Sequence, residues 1–365
     1  MSNEKKTKES FLARIRKSPL FLPIIALILV MAVNIIHDAA TGANPFGFFV
    51  IRLQNTTSNG TILYGRIIDI LNRGSEAAIL ALGMTLVVSS SAGTDISVGS
   101  VMSLSASFCC MLLAGYGVSS TNELAVPLFV GILGGLLMGC LCGCFNGFLV
   151  AHLHIQPMVA TLILYSAARA IGLLLCNDLI VYIRNGSYGI FGSFLGPIPT
   201  PVIITAICVC VLSIVLKKTA LGLYIQSVGI NSKASRIAGL NSKRIIFLTY
   251  VICGLFAGIA GIVNSSRITS ADSNNIGLYL EMDAILAVAL GGNSLGGGKF
   301  SLAGSIIGAY TIQAITTTLY ALGVSAAQAP VFKAVIVVII VAIQSEPVRN
   351  YFKKASLAKK AKEVA

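Results

Sequence analysis

The sequence predicts an all-α integral membrane protein with about ten transmembrane helices, some of them short or broken. Three observations carry that prediction. First, 56% of the 365 residues are hydrophobic and only 11% are charged, against about 25% charged in an ordinary soluble domain. A chain this poor in charge cannot coat its own surface, so most of its solvent must be lipid. Second, apolar runs recur at the length that spans a bilayer: about 20 helical residues cover the roughly 30 Å hydrocarbon core. Third, the net charge of +13 is concentrated, with 18 of the 26 Lys and Arg residues in the blocks 5–17, 217–244 and 349–362. Each block abuts an apolar run, as the positive-inside bias requires. The charge therefore marks topology, and no nucleic-acid partner is expected.

The elements follow in order. The run Leu20–Ile36 is longer than a signal-peptide core, and no small-residue cleavage site follows it, so it reads as a retained first span. The next spans are Ile67–Val88, Ile96–Gly115 and Val126–Leu153. The last of these carries a glycine ladder, Gly131, Gly135, Gly139, Gly143 and Gly147. A spacing of four puts these glycines on one slowly drifting face, where a neighbouring backbone can approach closely. Met158–Cys176 and Pro201–Leu216 complete six spans ahead of the basic stretch 217–244. Four candidates follow it: Ile245–Val263, Asp283–Gly291, Phe300–Leu322 and Val331–Ile343. Six crossings and then four return the chain each time to one side, so all three basic blocks, and both termini, are expected in the cytoplasm. The implied division is a basic segment 1–19, one membrane domain 20–345 and a basic tail 346–365.

One candidate is anomalous. Asp283–Gly291 would be only about 14 Å long as a helix, too short to cross alone. It runs into Gly291-Gly-Asn-Ser-Leu-Gly-Gly-Gly298, and short, glycine-interrupted segments of this kind often line a cavity.

No catalytic set or metal site stands out. The nine cysteines lie mostly inside apolar runs, form no C-x-x-C pair and have no His at zinc spacing, so they read as small packing residues. The nearest approach to a phosphate loop, Asn293–Phe300, has Asn where the first Gly belongs and Phe where Ser or Thr belongs. Any ATP-driven step therefore needs ATP and magnesium on another subunit, with no cofactor on this chain. Polar residues at depth are the remaining candidates. Asp95 lies between two spans, either as part of a gate or as an N-cap for the helix that follows. Asp272, Asn274 and Asn275 form a polar cluster, either at a mouth or as a solvated loop. Arg169 sits inside a span and needs a partner. The other acids, Asp69, Glu76, Glu281 and Asp283, are expected at span ends, which disfavours an ion-coupled carrier. A membrane anchor or scaffold is the remaining alternative class.

The basic stretch contains Asn231 as a helix N-cap and Gly239 as a C′ residue, so a short helix is predicted over Ser232–Ala238. One exposed turn is marginal in water, so it persists only if something packs on it. On pattern alone, a docking surface and a topogenic loop both stand open.

Several motifs resemble one family. Ala81–Val87, Asp95-Ile-Ser-Val-Gly99, Asn146–Val150 and Ile155–Thr161 in the first half, with Thr219–Gly222, Asp272–Asn275, Leu286–Gly292 and Gly304–Gly308 in the second, are similar to the permease subunits of bacterial sugar ABC importers of the ribose, xylose and galactofuranose types. The run 155–164 and the 272–275 segment look most like galactofuranose-type members. The resemblance implies the ABC importer permease fold in the bacterial inner membrane, paired with a second copy or a paralogue around a central path. It implies an ABC ATPase subunit and an extracytoplasmic sugar-binding protein as partners, and a monosaccharide as cargo. The stretch 229–243 matches the ATPase-contacting loop, which assigns docking to Asn231, Ser232, Lys233, Ala234, Arg236, Gly239 and Lys243. Asp95, Ser97, Asn146, Asp272, Asn274 and Asn275 become candidates for the path or its gate. Here Ser91-Ala-Gly-Thr94 precedes Asp95 in place of the usual Gly-Gly-Ile.

Overall fold

The computed structural model describes residues 21–42, 44, 46–56 and 60–344; the two basic terminal segments expected from the sequence lie outside them. Thirteen α-helices make up the described part. They are α1 (Phe21–Ala40), α2 (Arg66–Ser91), α3 (Val98–Ala114), α4 (Leu128–Ala151), α5 (Pro157–Leu175), α6 (Gly186–Gly189), α7 (Thr200–Lys218), α8 (Leu221–Ile230), α9 (Ser232–Ile237), α10 (Ser242–Ile268), α11 (Leu280–Leu290), α12 (Leu302–Ala321) and α13 (Ala329–Gln344). Seven of them are long and apolar enough to cross a membrane. The ten expected spans correspond to these seven together with α3, α11 and α13.

The little strand that exists lies at helix ends. β1 (Arg52–Thr56) and β2 (Gly60–Tyr64) form an antiparallel hairpin between α1 and α2. β3 (Ser120–Thr121), β4 (Val181–Ile183) and β7 (Ser270–Ala271) form a three-stranded patch, and β5 (Phe194–Leu195) pairs with β6 (Ile198–Pro199).

Close backbone contact holds the centre. A Cβ on Gly139 would lie 2.4 Å from the Gly254 carbonyl oxygen, one on Gly143 2.4 Å from the Tyr250 oxygen, and one on Gly254 2.2 Å from the Gly139 oxygen. The glycine ladder therefore seats α4 directly on α10. Its other end, Gly131 and Gly135, seats on Leu113 and Ser105 of α3. Residues with no side chain let the backbones meet, and dispersion between them replaces the hydrophobic drive that lipid cannot supply.

The chain is built as two related halves. α2–α3–α4–α5 and α10–α11–α12–α13 both run long helix, break, short helix, then two further helices. α2 and α10 lie antiparallel, joined by Ser90 Oγ to Thr249 Oγ1 at 2.8 Å near one end and by Asn264 Nδ2 donating to Glu76 Oε2 at 2.7 Å near the other. Packing exchanges between the halves: α10 lies on α4 as α2 lies on α12, and α3 lies on α4 as α11 lies on α12.

Glu76 departs from expectation. It sits ten residues inside α2, buried, and not at a span end, because a basic residue of α10 meets it there. There Arg267 pairs with it at 2.9 Å. Glu281 and Asp283 also lie within the bundle, because α11 starts part-way across it. Asp283 pairs with Lys333 of α13 at 2.7 Å. Burying an unpaired charge is costly, and Glu76 and Asp283 each carry a cation from a neighbouring helix.

Candidate functional site

The two breaks, not the long helices, bring the candidate residues together. Between α2 and α3 the chain leaves helical geometry at Ala92–Ser97. Gly93 is required there, since a Cβ would fall 2.5 Å from Pro157 at the head of α5. Asp95 Oδ1 accepts from the Ser97 backbone N at 2.9 Å and from Ser97 Oγ at 2.6 Å, and Asn146 Nδ2 of α4 donates to Ser97 Oγ at 2.8 Å. Three sequence-predicted residues thus form one buried chain of hydrogen bonds. Asp95 holds the turn just ahead of α3 and does not bond the free N–H groups of the helix itself. Asn146 lies between Gly143 and Gly147, which face α10 at residues 247–251. That is five to nine residues into α10, or about 8–14 Å from its start. The cluster is buried inside the bundle, and Asn146 Oδ1 has no partner among the described residues.

The second break is Thr269–Tyr279, between α10 and α11. Asp272 Oδ1 accepts from the backbone N of Asn274 at 3.0 Å and of Asn275 at 3.3 Å, and its Oδ2 accepts from Asn275 Nδ2 at 2.6 Å. Asn274 and Asn275 are exposed. These three predicted residues form a self-contained turn, separate from the Asp95 cluster.

Arg169, whose partner the sequence could not supply, closes this break. Its guanidinium donates to the carbonyls of Ser273 at 2.7 Å, Asn274 at 2.7 Å and Ile276 at 3.2 Å. Non-helical backbone at depth leaves carbonyls without intrahelical donors, and one planar fork satisfies three of them. α11, about 16 Å long, is thus preceded by a run of turns over residues 273–279, which Arg169 ties to α5.

The breaks touch each other. Gly99 and Gly277 are in backbone contact; a Cβ on Gly99 would lie 2.4 Å from the Gly277 oxygen and 2.2 Å from Glu281 Oε2. Ser103 Oγ donates to the Ser273 carbonyl at 2.8 Å, and the Ser107 and Ser273 hydroxyls meet at 2.6 Å. Glu281 is buried, and its Oε2 has no partner among the described residues. Sequence reasoning missed Ser103, Ser107 and Ser273. Ser103 and Ser107 carried only a spacing of four among the several serines of α3, and Ser273 no signal beyond its place in the 272–275 motif.

At the end of the bundle that carries the basic stretch, the expected short helix is α9. Asn231 Oδ1 accepts from the Ala234 N at 2.9 Å, and Gly239 takes a left-handed φ of 86°. Ser232, Lys233, Ala234, Arg236 and Gly239 are exposed, Lys243 is half-buried, and Ile237 is 90% exposed. The region is not one loop, because α8 precedes α9 and buries Ile225 and Val228. A Cβ on Gly229 of α8 would lie 1.7 Å from the Ser89 carbonyl oxygen at the end of α2 and 2.7 Å from the Gly298 N. Gly298 N in turn donates to that same Ser89 oxygen at 3.0 Å. The glycine-rich segment 291–298 is anchored here by Asn293. Its Oδ1 accepts from the Ser301 N at 2.6 Å, and its Nδ2 donates to Ser305 Oγ at 2.8 Å. The residue that spoils a phosphate loop is therefore the one that ties this turn.

Comparison with known proteins decides the family. Residues 66–344 match the model described as "Branched-chain amino acid transport system / permease component". The chain belongs to this permease family. Among its relatives, the galactofuranose transporter permease protein YtfT of Escherichia coli (strain K12) is 44% identical over 78% of this chain and 81% of its own. The fructose import permease protein FruF of Bifidobacterium longum (strain NCC 2705) is 35% identical over 98% of this chain and 97% of its own. The ribose import permease protein RbsC of Bacillus subtilis (strain 168) is 35% identical over 81% and 90%. The chain is thus a multi-pass transport permease. The match begins at α2 and ends with α13, so it spans both halves and both breaks.

Proposed function

We propose that this permease is the membrane-spanning subunit of an ATP-driven importer for a monosaccharide. In this reading it pairs with a second copy or a paralogue in the bacterial inner membrane, with both termini cytoplasmic. A separate ABC ATPase subunit supplies ATP and magnesium, and an extracytoplasmic binding protein delivers the sugar. The relatives support the cargo class, since galactofuranose, fructose and ribose, for which they are named, are all monosaccharides.

The observation that carries the mechanism is the seat of α8 and α9. An exposed, capped helix bearing Lys233 and Arg236 is joined through Gly229 to the end of α2 and to the 291–298 turn. Force applied at α9 reaches both halves, because α2 leads into the Asp95 break and the glycine turn follows α11. ATP binds one arrangement of the ATPase more tightly than the other, which shifts the population of the attached helices. Asp95, Ser97 and Asn146, with Asp272, Asn274 and Asn275, are assigned to the parts that rearrange around the path. Glu76 and Asp283 are each neutralised by a basic partner, the pattern of structural pairs, not of a proton relay.

The test is reconstitution of the permease with its ATPase and binding protein, reading sugar-stimulated ATP turnover. Lys233→Glu together with Arg236→Glu is expected to cut the stimulation at least about tenfold while the membrane part stays folded, since charge reversal at a docking surface costs on the order of 1–2 kcal/mol per site. Unchanged stimulation removes docking from α9.

A further inference from the structure

We infer a sugar-binding cleft outside the two breaks, between the β1–β2 hairpin and the head of α2. The antiparallel register places Arg52 opposite Tyr64, with Gln54 two residues along the same face. That face covers a cavity of about 500 Å³ whose other wall includes Asp69 of α2. The volume falls in the range of small-ligand sites, roughly 300–1,000 Å³. The hairpin is fixed in place on two sides. Leu63 N donates to the Pro197 carbonyl at 3.0 Å. A Cβ on Gly65 would lie 2.6 Å from the Val50 oxygen, so that glycine lets β2 enter α2 against the opposite wall.

The cleft's polar groups are unspent. Arg66 is taken by Asp38, at 2.8 Å. The side chains of Arg52, Gln54, Tyr64 and Asp69 make no hydrogen bond or ion pair among the described residues. The set is chemically specific. It offers a guanidinium fork, an amide that both donates and accepts, a carboxylate and an aromatic ring that is 54% exposed. Arg52 and Asp69 cancel in charge, so the site favours no net charge in its ligand. Hydroxyls that donate and accept at once, on a ring with an apolar C–H face, match all four groups. The ligand class is a neutral monosaccharide, held by hydrogen bonds at its edge and by Tyr64 at its face. The cleft lies at the far end of the bundle from α9, where the transport reading puts the side of sugar delivery. The choice of sugars to test rests on that reading; the cleft's own chemistry does not.

The permease contains no tryptophan, so Tyr64→Trp creates a single fluorescent reporter in the cleft and keeps an aromatic face. The full-length variant in lipid nanodiscs is titrated with D-galactose, D-ribose and D-fructose, and with glucuronate and glucosamine as charged comparators. A saturable emission change with at least one neutral sugar is expected, weakened about tenfold by adding Asp69→Asn or Arg52→Gln, each of which removes a charged hydrogen-bonding partner. No saturable change with any neutral sugar, in a variant that still supports uptake, overturns the cleft and leaves the transport reading intact. Binding of glucuronate or glucosamine alone overturns the neutral-sugar assignment. If the tryptophan variant does not accumulate, saturation-transfer NMR on the unmodified chain is compared with Arg52→Gln alone, and equal sugar signals overturn the proposal. Absence of uptake by the unmodified complex would instead sink the transport reading, whatever the cleft binds.

Discussion

Arg169 shows how one side chain can make a broken crossing possible. Its three carbonyl acceptors belong to a segment with no helical ladder of its own. Removing the guanidinium takes the charged donor from all three; the Ser273 oxygen keeps the Ser103 hydroxyl and the Asn274 oxygen is exposed, so the main cost falls on the Ile276 oxygen, at about 1–3 kcal/mol for a buried group left unsatisfied. Arg169→Leu is therefore expected to lower thermal stability in detergent and to open residues 272–279 to proteolysis. Arg169→Lys restores one bond at most and should fall between. Wild-type melting and protection in Arg169→Leu would refute this role. The sequence announced a need for a partner at Arg169 but could not name it, because the partner is backbone more than a hundred residues away. The opposite holds for Asn231, whose capping bond is local and could be read directly from Asn231–Ala234. Asp95, Ser97 and Asn146 were selected separately, and only the fold shows that they form a single hydrogen-bonded chain.

At the scale of elements, the glycine ladder of α4 gives a graded prediction. Gly139→Ala would put a methyl 2.4 Å from the Gly254 carbonyl, which is backbone and cannot rotate away. Gly134→Ala would meet Leu112 Cδ1 at 2.5 Å, but that atom is the free end of a flexible side chain. Overpacking of the first kind costs about 1–3 kcal/mol. The melting temperature should fall clearly for Gly139→Ala and little for Gly134→Ala; equal shifts would argue against direct α4–α10 backbone contact. The ladder was legible because its spacing repeats. α8 was not legible as a helix, since ten mostly apolar residues inside a basic stretch look the same in a helix and in a connection. The second span was placed correctly at Ile67, yet Glu76 and Glu281 were read as end residues although both are buried in the bundle: hydropathy gives the extent of an apolar run, not which acid within it is enclosed by neighbouring helices.

At the scale of the whole molecule, one of the places where the two halves meet is the crossing of α3 with the segment before α11. The Ser107 and Ser273 hydroxyls are 2.6 Å apart, a separation that suits replacement by a disulfide. In a background whose nine native cysteines are replaced, Ser107→Cys with Ser273→Cys is expected to cross-link on oxidation. Uptake should stop while the protein stays folded, and return with reductant. Transport at the normal rate through the cross-linked protein would show that the breaks do not move against each other. The related halves escaped a search for short periods because the repeat is long, with corresponding helices starting at Arg66 and Ser242, and because only the packing reveals it.

Gly229 leaves no slack. With its α-carbon pressed against the last turn of α2, and Gly298 bonded to the same oxygen, three segments share one joint of backbone thickness. A push on the exposed helix cannot be absorbed as side-chain play before it arrives at either half. If α9 is the docking element proposed above, this joint is geared like a rack meshed without clearance, and a stroke applied there would reach both halves together.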